Sequence, residues 1–203
     1  MSSSSVLVQL QPRVVDCNAV IRWYSESALL VCAFEYGEEP IGAATTLAER
    51  IDAALNISSS PQRAILGDVQ VMWRDASRLR SIELRTAPAE WHPSSLPIPD
   101  EGTEKRSMTF GLDYDFDGIA SVEADVRVLR DAQRASISLL FGQVDRQSGR
   151  WAAIADGAFV RVDDENRLME FRFANLQMVS GDPDSAAALQ EGASVDSDRG
   201  RTV

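Results

Sequence analysis

The sequence predicts a mainly β fold with a minor α contribution, and three observations support this prediction. Apolar and polar residues alternate along several short segments, which is the period of a half-buried strand. Turn-forming residues separate those segments at short intervals. One strand–turn–strand pattern also occurs twice along the chain. We therefore expect two related antiparallel β-hairpin units that form either one sheet system or a sandwich or barrel.

The first unit is expected to span residues 1–87, and it opens with hairpin signals. Val6–Leu10 alternates in polarity and predicts a short strand. Residues 19–24 and 28–36 are rich in β-branched and aromatic side chains, and they flank Ser25-Glu26-Ser27. That order predicts a strand, a turn and a second strand.

The same unit contains the one segment with helical periodicity, residues 46–55. Thr46 and Glu49 have the spacing of a capping box, which marks a helix start. The apolar residues that share one face at helical spacing are Leu47, Ile51, Ala54 and Leu55. Beyond this helix, residues 64–73 and 78–85 predict a second strand pair.

Residues 88–106 read as a proline-rich connection between two units. The second unit is expected over residues 107–180, where Asp117-Gly118 is the strongest hairpin-turn signal of the chain. Residues 181–203 are acidic and small, with few large apolar side chains, which is typical of a disordered tail.

The repeat is clearest at the end of each unit, where the two copies are offset by 89 residues. Farther upstream, Tyr24 and Tyr114 precede similar patterns. An aspartate at the start of the repeated turn can accept a backbone N–H, and asparagine tolerates a left-handed backbone. The pairs matched at the 89-residue offset include Asp75 with Asp164, Leu79 with Leu168, Ile82 with Phe171 and Leu84 with Phe173.

The repeated order V-x-V-x-x-D-x-x-x-R-L-x-x-I/F-E/R, after a tyrosine and a short turn, resembles small bacterial β-meander domains of unknown function. Those domains occur alone or in tandem. The resemblance covers about two thirds of the chain, and segment 46–55 is an insertion relative to it. It implies a β fold, but it supplies no activity and no functional residues.

The chain is acidic, with a formal net charge of −11, and Lys105 is its only lysine. Nucleic-acid binding requires a basic surface that displaces counterions from phosphates, so we expect no nucleic-acid partner. Opposite charge steers association, so the acidity favours a basic protein partner, although solubility alone also explains it.

No apolar run approaches the roughly 20 residues of a membrane-spanning helix, and the N-terminus does not resemble a signal peptide. We therefore expect a cytoplasmic protein without a membrane partner. In the first hairpin, Cys32 would lie opposite about Val20, three residues from Cys17. This separation predicts two free, buried thiols.

Calcium is the one cofactor that the sequence suggests. Asp113, Asp115 and Asp117 alternate before Gly118, as at the start of a calcium loop. Carboxylates at this spacing could converge on a hard cation, so these three residues are the candidate metal ligands.

A second interpretation of this segment is strand alternation. The twelfth position of a calcium loop needs a bidentate glutamate, and this chain has Ala124 there. In a strand, Tyr114 and Phe116 would face inward while the aspartates face water.

Catalytic signatures are absent from the sequence. It has no glycine-rich phosphate loop, no zinc spacing of cysteine and histidine, and no Gly-x-Ser-x-Gly. Its one histidine, His92, follows Trp91 in the proline-rich connection. Trp91 either packs this connection onto a sheet or belongs to an interface, and the pair is the interface candidate.

We therefore expect a non-enzymatic protein-binding protein, for example an immunity-type protein or inhibitor that covers a basic partner. The alternative is a β-barrel that binds a small ligand or a divalent cation, and a hydrolase stays open as a third class. Sheet edges must be covered or paired, so a homodimer is also expected.

Overall fold

The computed structural model describes residues 6–12, 16–37, 62–74, 78–99, 103–142 and 148–181, and these ranges are mainly β as predicted. The predicted helix at 46–55 and nearly all of the predicted tail lie outside the described residues. The strands of the described ranges are β1 Val8–Pro12, β2 Cys17–Tyr24, β3 Leu29–Tyr36, β4 Arg63–Leu66, β5 Val69–Trp73, β6 Leu79–Arg85, β7 His92–Pro93, β8 Arg106–Phe110, β9 Ile119–Val122, β10 Val126–Asp131, β11 Ser136–Phe141, β12 Arg150–Ala155, β13 Ala158–Val162, β14 Leu168–Phe173 and β15 Gln177–Val179.

These strands form two large sheets and one small ladder. The seven-stranded sheet has the order β15-β2-β3-β6-β5-β4-β9, and the six-stranded sheet has the order β12-β13-β14-β11-β10-β7. β1 pairs with β8 in the small antiparallel ladder. Over the described residues both sheets stay open, so the barrel alternative is wrong.

The two sheets contain the same five-stranded antiparallel pattern. β2-β3-β6-β5-β4 in one sheet corresponds to β10-β11-β14-β13-β12 in the other. The registers agree as well, since Ile82 pairs with Cys32 and Val71, and Phe171 pairs with Leu139 and Val160.

The first turn of each five-stranded pattern corrects one part of the sequence alignment. β2–β3 and β10–β11 are joined by four-residue turns, each ending on an alanine with left-handed φ, Ala28 at 50° and Ala135 at 47°. Tyr24 therefore corresponds to Asp131, whereas Tyr114 lies in a loop that belongs to neither pattern.

The end of each pattern crosses to the opposite sheet. β7, which follows the first pattern, pairs in parallel with β10 and brings His92 beside Leu129. β15, which follows the second pattern, pairs in parallel with β2 and brings Gln177 beside Arg22. Arg22 and Leu129 are equivalent positions, so the two halves exchange strands reciprocally.

Two predicted strand assignments are wrong. Residues 64–73 form the two strands β4 and β5 rather than one, because the chain reverses at Gly67, whose φ is +59°. A Cβ at Gly67 would lie 2.2 Å from the backbone oxygen of Ala124, so glycine is required there. The turn at Asp117-Gly118 joins no hairpin, since β8 pairs with β1 and β9 pairs in parallel with β4.

One hydrophobic cluster contains side chains from both large sheets and from the β1–β8 ladder. Trp73 lies inside it, donates its indole N–H to the Met108 backbone oxygen at 3.1 Å, and packs edge-on against Phe110. Neither cysteine forms a disulfide and both are buried in this cluster, as predicted, although Cys32 lies opposite Ile21 rather than Val20.

Candidate ligand cleft between the two halves

Trp91 lies where the two halves meet. A short 3-10 turn, Pro88–Glu90, follows β6 and directs the chain toward β10. Trp91 is only 7% exposed, and its indole N–H donates to the Thr86 hydroxyl at 3.0 Å. Its ring meets Trp23 edge-on at 5.7 Å, and the Arg130 guanidinium lies 5.2 Å from the ring centroid.

Trp23 and Arg130 occupy equivalent positions on β2 and β10, so Trp91 contacts the same position of both halves. Trp91 therefore packs the proline-rich connection onto the sheets, as the first sequence interpretation had it. Its neighbour His92 is exposed within the two-residue strand β7. A role for the pair in an interface stays a prediction.

A concave space of about 620 Å³ opens beside Trp91. Volumes of this size are typical of small-molecule sites, which occur preferentially where domains meet. We call this space the Trp91 cleft. Its lining includes two prolines, an aromatic ring and polar groups from the β10–β11 turn, among them Pro88, Trp91, Pro93, Arg130, Gln133 and Arg134.

Asp131 connects two segments that line the Trp91 cleft, the proline-rich connection and the β10–β11 turn. One carboxylate oxygen accepts the Leu96 backbone N–H at 3.0 Å and pairs with the Arg134 guanidinium at 2.8 Å. The other accepts the Gln133 backbone N–H at 3.0 Å. Donation from the Leu96 backbone, followed by the Arg134 side chain, lowers the pKa of Asp131 to about 2. The carboxylate is therefore ionised at neutral pH and balances the charge of Arg134.

Arg130, in contrast to Asp131, has an unsatisfied hydrogen-bonding group. Its Nε is buried and has no hydrogen-bond partner among the described residues. The guanidinium makes a cation–π contact with the face of Trp91. Sequence reasoning selected Trp91 but missed Arg130, because only the pairing of β7 with β10 brings the two together.

The three aspartates of the candidate calcium site form an exposed turn. Asp115 accepts the backbone N–H groups of Asp117 at 3.0 Å and Ile119 at 2.8 Å. Among the described residues, no group of three or more histidine, cysteine, aspartate or glutamate side chains could hold a metal ion. Phe116 is 103% exposed, so the expectation that it faces inward is wrong.

A second turn with the same hydrogen bonds explains the role of Asp115. Asp163 accepts the backbone N–H groups of Glu165 at 2.9 Å and Arg167 at 2.8 Å. Asn166 in that turn and Gly118 in the first both have left-handed φ, at 62° and 74°. Turn formation therefore accounts for the Asp115 contacts, and calcium binding by Asp113, Asp115 and Asp117 stays a prediction.

A buried ionic cluster lies on the outer face of the six-stranded sheet. Glu170 is 1% exposed and pairs with Arg161 at 2.9 Å and with Arg172, whose Nε lies at 2.9 Å. The Ser138 hydroxyl also donates to Glu170. Both arginines lie over the Trp151 ring, at 5.4 and 4.4 Å from its centroid.

Arg172 also donates to the Pro97 backbone oxygen at 2.5 Å, so this cluster anchors the proline-rich connection. Alternation of apolar and polar residues predicts strands that are buried on one face only, so sequence reasoning did not single out these arginines. Strands β11, β13 and β14 are buried on both faces.

Comparison with known proteins gives no assignment: no family model and no curated protein matches the chain. The resemblance to β-meander domains therefore stays a prediction. In the part of the chain that the structure describes, no helix has the length and apolarity needed to cross a membrane.

Proposed function

We propose that this protein is a non-enzymatic binding protein and that its ligand binds in the Trp91 cleft. One observation carries the proposal: a concave space of about 620 Å³ lies at the junction of the two halves, with Trp91 and Arg130 in its lining. An aromatic ring next to an arginine is the combination that dominates many recognition sites.

The surroundings of the cleft support the proposal, because they hold its lining in place before any ligand arrives. Trp91 is fixed by its contacts with Thr86, Trp23 and Arg130. Asp131 joins the β10–β11 turn to the proline-rich connection. Pre-organisation of this kind reduces the entropy lost on binding.

A thermal-shift screen of small metabolites with the full chain tests this proposal, followed by tryptophan fluorescence titration of each hit. We expect a saturable hit whose affinity falls in Trp91→Phe and is kept in Trp151→Phe, since Trp151 lies at the ionic cluster instead. Hits with equal affinity for both variants would place the binding site elsewhere and refute the proposal.

A basic protein partner is the second candidate, and the segment 107–126 favours it. This segment carries five carboxylates and no lysine or arginine. All five carboxylate residues are exposed, and the fully exposed Phe116 lies among them. An immunity-type protein or inhibitor would use such a surface against a cationic partner. The carboxylates are Asp113, Asp115, Asp117, Glu123 and Asp125.

Matched charge variants test the second candidate with an arginine-rich decapeptide as the probe. One variant neutralises the carboxylates at 113, 117, 123 and 125 and keeps Asp115, which the turn needs. The control neutralises four other exposed carboxylates, Asp16, Glu26, Glu35 and Asp68. Weaker, salt-sensitive binding in the first variant alone supports a specific surface, and an equal loss in both contradicts it.

The internal duplication and the cytoplasmic location belong to the same proposal. The shared strand order and register support descent of both halves from one duplicated unit. Cys17 and Cys32 form no disulfide, which is compatible with a reducing compartment. A homodimer also stays a proposal, and sedimentation equilibrium at micromolar concentration tests it.

A further inference from the structure

The charge of the Trp91 cleft is positive although the whole chain is acidic. Arg130 and Arg134 line the cleft together with one carboxylate, that of Asp131. Asp131 forms an ion pair with Arg134 at 2.8 Å, so the lining contains no further carboxylate to balance the charge of Arg130. A cleft with this balance disfavours cationic ligands.

The contacts of Arg130 leave hydrogen-bond donors for a ligand. A guanidinium has five N–H donors, and the one on Nε is buried without a partner among the described residues. The contact of the guanidinium with the Trp91 ring, at 5.2 Å from the ring centroid, is a cation–π contact and uses none of those donors in a hydrogen bond. The two terminal NH2 groups are not among the buried atoms without a partner, so they are the donors that can form charge-assisted hydrogen bonds with an oxyanion in the cleft.

The face of Trp91 also argues against a cationic ligand. Cations bind tryptophan through the ring face, and the guanidinium of Arg130 already lies over this ring at 5.2 Å. Pro88 and Pro93 add flat apolar surface to the same lining. The cleft therefore combines one guanidinium, whose charge no carboxylate of the lining balances, with apolar walls.

We infer that the Trp91 cleft selects ligands that carry a carboxylate or a phosphate on a flat apolar body, with Arg130 as the residue that binds the anionic group. This inference rests on the proposed function, since it specifies the ligand class of the same cleft. Carboxylate and phosphate share the oxyanion chemistry that a guanidinium recognises.

Four probes of similar size separate the possibilities: benzoate, phenyl phosphate, the neutral benzamide and the cationic benzylamine. Their affinities are measured by tryptophan fluorescence and by the indole N–H signals in NMR spectra of the full chain. Inorganic phosphate, as a fifth probe, reports on the anion without an apolar body.

We expect benzoate or phenyl phosphate to shift the Trp91 indole signal and to bind at least about tenfold more tightly than benzamide, the usual difference for a charge-assisted hydrogen bond. Arg130→Gln should remove that preference, and Arg130→Lys should keep part of it. Arg127→Gln is the matched control, because Arg127 lies exposed on the same strand outside the cleft lining.

The outcomes also separate this inference from the proposed function. If benzamide or benzylamine binds at Trp91 as tightly as benzoate, the cleft is a ligand site and the anion preference is wrong. If inorganic phosphate matches phenyl phosphate, the requirement for an apolar body is wrong. If no probe and no metabolite shifts Trp91, both the inference and the proposed function fail.

Discussion

The buried ionic cluster around Glu170 gives the most quantitative prediction for the stability of the fold. Glu170→Gln removes one negative charge and keeps the shape of the side chain. Arg161 and Arg172, whose side chains are 3% and 10% exposed, would then lack their shared counter-charge. Their attraction to Glu170 offsets the desolvation of three charges in the native sheet.

The expected cost follows from this burial. Breaking a buried ion pair by removing one partner costs about 3–5 kcal/mol. Glutamine still accepts the Ser138 hydroxyl proton, so we expect the lower end, about 3 kcal/mol. For a chain of this length, each kcal/mol lowers Tm by about 2–4 °C. Glu170→Gln should therefore lower Tm by roughly 6–12 °C.

Differential scanning calorimetry of the wild-type chain and the variant at neutral pH measures this shift. The matched control is Glu165→Gln, because Glu165 pairs with Arg167 at the surface, where the side chains are 65% and 44% exposed. Such exposed pairs contribute about 0–1 kcal/mol. A Tm loss in Glu170→Gln no larger than in Glu165→Gln would refute the reasoning.

Three further predictions concern other parts of the molecule. The lowered pKa of Asp131 stabilises the fold above the ordinary value of 3.8, and this contribution is lost as the pH falls toward 2. The Tm difference between wild type and Asp131→Asn should therefore be constant above about pH 5 and shrink between pH 4 and 2; a constant difference down to pH 2 would contradict this. Cys17 and Cys32 are both buried, and burial also raises the pKa of Cys32. An aromatic disulfide reagent should therefore react with neither thiol until the chain unfolds, and rapid labelling of the native chain would contradict the buried positions. Phe116→Ser should change the free energy of unfolding by less than about 0.5 kcal/mol in urea titration, because the side chain is fully exposed; a larger loss would mean that Phe116 packs.

Strand positions were predictable where hydrophobic alternation and turn chemistry agree. The β2–β3 hairpin follows the sequence prediction closely, and the β13–β14 hairpin contains the second copy of the repeated turn. Asn166 adopts the left-handed φ that its turn was expected to need. Both signals are local, so a single sequence contains them.

Strand pairing was predictable only between neighbours. β9 follows a strong turn signal, yet it pairs with β4, far away in the sequence. The same aspartate turn joins the β13–β14 hairpin, so the turn at Asp115 does not by itself decide which strand β9 pairs with. Pairing of this kind depends on the packing of the whole sheet, which alternation does not report.

Of the residues that line the Trp91 cleft and carry the proposal, only Trp91 was singled out from the sequence. Trp91 stands out because a tryptophan in a proline-rich connection is unusual for a linker. Arg130 and Asp131 are polar residues at the end of β10, and nothing in the local sequence distinguishes them from surface residues. They become site residues because β7 crosses to the opposite half, an exchange that no local pattern predicts.

An NMR titration of the full chain with benzoate, followed through the four tryptophan indole N–H signals, tests whether the Trp91 cleft binds an anionic ligand. Assignment comes from single Trp→Phe variants. We expect a saturable shift of the Trp91 signal that is lost in Arg130→Gln, with little change at Trp73. An unchanged Trp91 signal, or an equal shift in Arg130→Gln, would contradict the claim that this cleft binds an anionic ligand.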